Sequence, residues 1–152
     1  MDHIGFRFQI IYKDEHLLKV RISAWNGSFG GAVDIYADAD QLKEAASDLQ
    51  RFPRDLSDVR EITFGEFGPK SAGGAISMRF YCADRAGHAH VDTRIESEYD
   101  PAGKAESVTM ILTIEPAAVD AFVQELGWLG ARRSDQACLK GVLKGTQSAP
   151  RG

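Results

Sequence analysis

Two alternating runs in the middle of the chain gather most of the side chains that could do chemistry. Ser77, Arg79 and Tyr81 lie on one face of the first run, and His88, His90, Asp92, Arg94 and Glu96 on one face of the second. Imidazole and carboxylate suit zinc or iron. Histidine titrates near neutrality, so His90 beside Tyr81 would also make an acid–base pair. Spacing limits the metal reading. Residues at i, i+2 and i+4 of a strand spread over roughly 13 Å, at about 3.3 Å per residue, so His88, His90 and Asp92 cannot share one ion. His88 and His90 could share one only with ligands from elsewhere. The same groups equally make a solvated sheet face on which Arg79 pairs with Asp92. No G-x-S-x-G elbow is present, and the glycine-rich stretch 65–74 lacks the P-loop spacing to Lys and Ser/Thr. No catalytic residue, metal or cofactor is therefore predicted. The candidate residues form a contact surface: Arg79, Tyr81, His88, His90 and Asp92, with Trp25 as an aromatic anchor beside a turn.

These groups are positioned by a hairpin over residues 75–96, turning at Asp84-Arg85-Ala86-Gly87. Setting Ala83 against His88 places Phe80 beside Val91, Cys82 beside Ala89 and Ile76 beside Ile95 on an apolar face. The other face then pairs Arg79 with Asp92 and Tyr81 with His90. A slip of one residue would bring Phe80 against Asp92, so the pattern resists it.

The flanking segments supply the rest of a core. Phe6, Phe8, Ile10 and Tyr12 alternate, as do Leu18, Val20, Ile22 and Ala24. A short loop at Lys13-Asp14-Glu15 would pair Phe8 with Val20 and Ile10 with Leu18. A two-residue Asn26-Gly27 turn would pair Val20 with Val33, Leu18 with Ile35 and Lys19 with Asp34. Gly30-Gly31 marks a bend or a close backbone approach. Asp38 and Gln41 form a capping box ahead of a helix whose stripe is Leu42, Ala45, Ala46, Leu49 and Phe52, ended by Pro53. Glu61 to Gly65 reads as a short strand. Val108 to Ile114 is apolar on both faces and reads as a central or covered strand. Pro116 opens a second helix with the stripe Val119, Phe122, Val123, Leu126 and Leu129, stopping at Gly130. Shifting the first stripe by 77 positions lays it on the second, Leu42 on Val119 and Leu49 on Leu126.

The expected fold is α+β, with about seven mostly antiparallel strands in two meanders, each followed by a helix packed on the sheet. Residues 1–130 make a single domain, and 131–152 a flexible or loosely docked tail. At 152 residues such a domain buries roughly 70% of its unfolded surface. A net charge of −4 speaks against a nucleic-acid binder and suits a basic protein partner. No apolar run approaches a membrane span, and the N-terminus lacks signal-peptide character. Cys82 and Cys138 lie in no metal spacing, and a cytoplasmic, reducing location fits. The oligomeric state is left open.

The order of pieces resembles the WapI-type immunity proteins, a family of small bacterial proteins. The likeness is carried by Gly27-Ser28-Phe29-Gly30-Gly31, the Leu42–Phe52 helix, and Ile76-Ser77-Met78-Arg79-Phe80. It continues through Asp84 with Gly87-His88-Ala89-His90-Val91 and the strand and helix from Ser107 to Leu126. It implies a non-enzymatic module that protects a cell by binding and occluding a toxin domain. A small-molecule or metal-binding protein using His88 and His90, and a self-associating structural domain, are the alternatives.

Overall fold

The computed structural model describes residues 3–70, 72–85 and 87–143. Apolar alternation builds strands wherever the sequence carries it. In chain order the elements are β1 (Gly5–Lys13), β2 (Leu18–Trp25), β3 (Gly30–Ala37), α1 (Ala39–Leu49), β4 (Val59–Gly65), β5 (Ala75–Cys82), β6 (Ala89–Glu96), β7 (Ser107–Ile114), α2 (Ala117–Gly130) and β8 (Gln136–Lys140). Among the described residues these eight strands form two four-stranded antiparallel sheets, β3-β2-β1-β8 and β4-β5-β6-β7.

The central hairpin has the register its pattern demands, with Phe80 opposite Val91, Arg79 opposite Asp92 and Tyr81 opposite His90. The first meander differs. Phe8 faces Ile22 rather than Val20, and Ile22, not Val20, faces Val33. Both turns are longer than expected. Asp14 accepts backbone N–H bonds from His16 and Leu17 at 2.9 and 2.8 Å, while its own N–H reaches the Leu17 carbonyl. Asn26 does the same for Ser28 and Phe29, closing a four-residue loop with its own N–H on the Phe29 carbonyl. A bulge between Ile10 and Tyr12 absorbs the remaining offset in the first pair.

Residues 131–143 are not a loose tail. β8 pairs with β1, placing Leu139 opposite Phe6 and Ala137 opposite Phe8, and both apolar side chains are fully buried. Residues 144–152 lie outside the described residues. With β8 in place, the two sheets follow one plan. The row Ile10–Val20–Ile35 in the first corresponds to Phe80–Val91–Leu112 in the second. The strand after α1 joins β5, and the strand after α2 joins β1, so each half of the chain completes the other half's sheet.

The helices line the interior. The Asp38–Gln41 capping box opens α1, both reciprocal bonds being present at 2.8 and 2.9 Å. α1 ends at Leu49, earlier than the stripe suggested. Phe52 lies beyond it yet is buried, its ring 5.7 Å from that of Phe80. Pro116 sits just before α2, already in helical conformation. The two helices run antiparallel. A Cβ on Gly130 would lie 2.9 Å from the Lys43 side chain and 3.0 Å from the Ala39 carbonyl, so glycine permits this approach. Phe8 then meets Phe64 of β4 and Phe122 of α2, both at 5.4 Å and edge-on. Across the ends of the second sheet runs β3. The Gly74 N–H donates to the Asp34 carbonyl at 3.1 Å, and a Cβ on Gly31 would touch Val108 and Ile95. The tight approach at Gly30 is instead to β2 of its own sheet, where a Cβ would lie 2.5 Å from the Ala24 carbonyl and 2.7 Å from the Trp25 ring. Truncating Leu139 to Ala should cost about 2–5 kcal/mol in urea unfolding, the range for a buried leucine, whereas a loosely docked tail would lose under about 0.5 kcal/mol.

Candidate functional site

The outward face of β5 and β6 brings four of the expected residues together. Tyr81 donates its hydroxyl proton to Asp92 Oδ1 at 2.8 Å, and Asp92 Oδ2 lies 3.6 Å from the Arg79 guanidinium. That guanidinium also sits 5.1 Å over the Tyr81 ring, and His90 meets the same ring edge-on at 5.7 Å. Cross-strand register causes this clustering, since opposed residues on one face stand side by side. Burial, reinforced by the hydrogen bond to Asp92 and that carboxylate's charge, pushes the Tyr81 phenol above its ordinary value. It holds its proton firmly and is poorly suited to acid–base exchange near neutrality.

His88 stands apart from this cluster. Its Nδ1 is 3.2 Å from Asp84 and its Nε2 is 3.7 Å from Glu115, so the ring bridges the hairpin turn and the start of α2. Among the described residues, no group of three or more His, Cys, Asp or Glu is placed to hold a metal ion. Trp25 is not on this face. It projects from the outer face of the first sheet, half-buried, with its ring over Gly30. Both cysteines are free thiols. Cys82 is partly exposed, its Sγ 3.6 Å from the Asp55 carbonyl, and burial pushes its thiol upward.

The far end of the face is closed by the glycine-rich loop after β4. Glu96 accepts the Gly68 N–H at 2.8 Å, and Arg94 stacks 4.3 Å over the Phe67 ring. Loop and sheet are therefore fastened together.

Sequence reasoning missed the apolar side of the site. β7 is an edge strand of its sheet, not a central one. Two of its carbonyls are nonetheless capped. Asn26 Nδ2 donates to Ile111 at 3.1 Å, and the Val142 N–H donates to Thr113 at 2.9 Å. The Asn26 loop thus reaches from the first sheet onto the second and carries Phe29 with it. Phe29 is 65% exposed and Ile111 41%. Between them opens a cavity of about 460 Å³ with Asp92 on its wall. The one hint was outward-pointing Ile111 in a strand apolar on both faces.

Comparison with known families, curated proteins and solved structures finds no match to this chain. No helix of the described residues is long and apolar enough to cross a membrane.

The tyrosine network makes a direct prediction. In a pH titration followed by ultraviolet absorbance, Tyr81 should ionise above the usual tyrosine value of about 10. Asp92→Asn should move that transition down, because the acceptor's negative charge is removed. The folded-state value lies above the unfolded one, so the associated stability is full below about pH 10. It is lost as pH rises through the folded value. An unchanged transition in Asp92→Asn would show that the bond does not control the phenol.

Proposed function

We propose that this protein is a non-enzymatic protein-binding module, immunity-like in its mode of action, that occludes a partner with the outer face of its second sheet. The observation that carries this reading is the join between a polar network and an exposed apolar lip. Arg79, Tyr81 and Asp92 lie beside solvent-facing Phe29 and Ile111 on one open surface. Interfaces combine an aromatic or aliphatic anchor with satisfied polar groups around it, and a few anchors carry most of the energy.

Catalysis is supported less well by the same groups. The Tyr81 proton is engaged by Asp92, and His88 is flanked by two carboxylates. The resemblance to WapI-type immunity proteins adds a partner class, a toxin domain encoded next to this protein. The acidic balance of the chain favours a basic one.

The test starts from the adjacent gene. Its product, purified in inactive form, should bind this protein in titration calorimetry. Phe29→Ala and Ile111→Ala should each weaken binding by about tenfold or more, the effect of an anchor worth over 1 kcal/mol. Circular dichroism should stay unchanged, since both side chains face solvent. A neighbouring product that does not bind, or binds both variants as well as wild type, would overturn the proposal.

A further inference from the structure

The two sheets share a plan, and that permits a position-by-position comparison of their outer faces. On the first sheet, Arg21 of β2 stands opposite Asp34 of β3. The pair closes in a two-pronged ion pair, Nε to Oδ1 at 2.8 Å and Nη2 to Oδ2 at 3.1 Å. Hydrogen bonding from Arg21 holds the Asp34 carboxyl below its usual value. The corresponding row of the second sheet runs Arg79, Asp92, Ile111. Here the carboxylate is on β6, and its β7 neighbour is an isoleucine rather than a cation. Tyr81 uses Oδ1, and Arg79 lies at 3.6 Å from Oδ2 on the β5 side. That is longer than a charge-assisted hydrogen bond of about 2.7–2.9 Å. The β7 side of the carboxylate opens into the cavity walled by Phe29, Ile111 and Met110.

From this we infer that the cavity beside Asp92 receives a basic side chain, an arginine above all, from the protein partner. Its guanidinium would take the place beside Asp92 that Arg21 takes beside Asp34, and its aliphatic stem would lie along Ile111 with Phe29 above it. Long cationic side chains bury their stems on apolar surface in this way, and a planar guanidinium matches a carboxylate edge and an aromatic face together. The assignment rests on the proposed reading of this face as a contact surface, and it narrows the partner to one presenting an exposed arginine.

The test needs no partner. N-acetyl-arginine amide is titrated into the isotopically labelled full chain and followed by amide chemical shifts, with N-acetyl-citrulline amide as the uncharged isostere. Saturable shifts should appear at Phe29, Asp92 and Ile111 with the arginine compound, and the citrulline compound should bind about tenfold more weakly or worse. Ile111→Arg is the internal check. It rebuilds within the chain the cross-strand pair of the first sheet, so the variant should fold and its response to arginine amide should vanish. Equal binding of the two compounds, no shifts at these residues, or an undiminished response in Ile111→Arg would each overturn the inference. Absence of any arginine response in the unaltered chain while Phe29→Ala still weakens the partner would sink the basic-side-chain assignment alone. Arginine binding without any effect of Phe29→Ala on the partner would sink the contact-surface reading and leave the cation site.

Discussion

Phe8 joins three elements that the chain keeps far apart. Its ring stands edge-on to Phe64 from the second sheet and to Phe122 from α2, and it is fully buried on the inner face of the first sheet. Edge-to-face contacts of this kind add about 0.5–1.5 kcal/mol each beyond the burial itself. More important is where they act. The registers of β1 against β2 and of β1 against β8 both place Phe8 over the same spot. If β1 moved by one position, its phenylalanines would turn outward and both aromatic contacts would be lost. The outer face of the first sheet is held in place because this interior junction tolerates no such slip.

The sequence was a good guide to faces and a poorer one to register. Side chains on a strand alternate with a period of two, so the apolar pattern penalises a shift of one residue and is blind to a shift of two. Around the central hairpin the Asp84–Gly87 turn fixed the count, and every pair was legible. In the first meander the longer Asp14 and Asn26 turns moved the pairing by two, and the core residues stayed on their predicted face, while the bulge after Ile10 turned Tyr12 outward, opposite Lys19. β8 was illegible for another reason. Only Ala137 and Leu139 of its five residues are buried, too short a run to stand out from polar neighbours.

The candidate site divides along the same line. Arg79, Tyr81, His90 and Asp92 share one face of one hairpin, so local alternation was enough to group them. Ile111 stands on that face as the cross-strand neighbour of Asp92, whereas Phe29 reaches it only through tertiary contact, by the Asn26 side chain on the Ile111 carbonyl. No local pattern encodes that meeting. Trp25 stands beside the turn on the first sheet, and it is the four-residue loop after it that carries Phe29 to the second.

Strand exchange between the halves has a consequence for synthesis on the ribosome. β1 is made before every other described strand, and one of its edges finds its partner only when Gln136–Lys140 emerges, more than 120 residues later. β5, by contrast, meets β4 soon after it is made. Until then the first sheet carries an unpaired edge rich in phenylalanine, the kind of edge that pairs with other chains. Closure of that edge is a late, non-local event, slow by the general relation between sequence separation and folding rate.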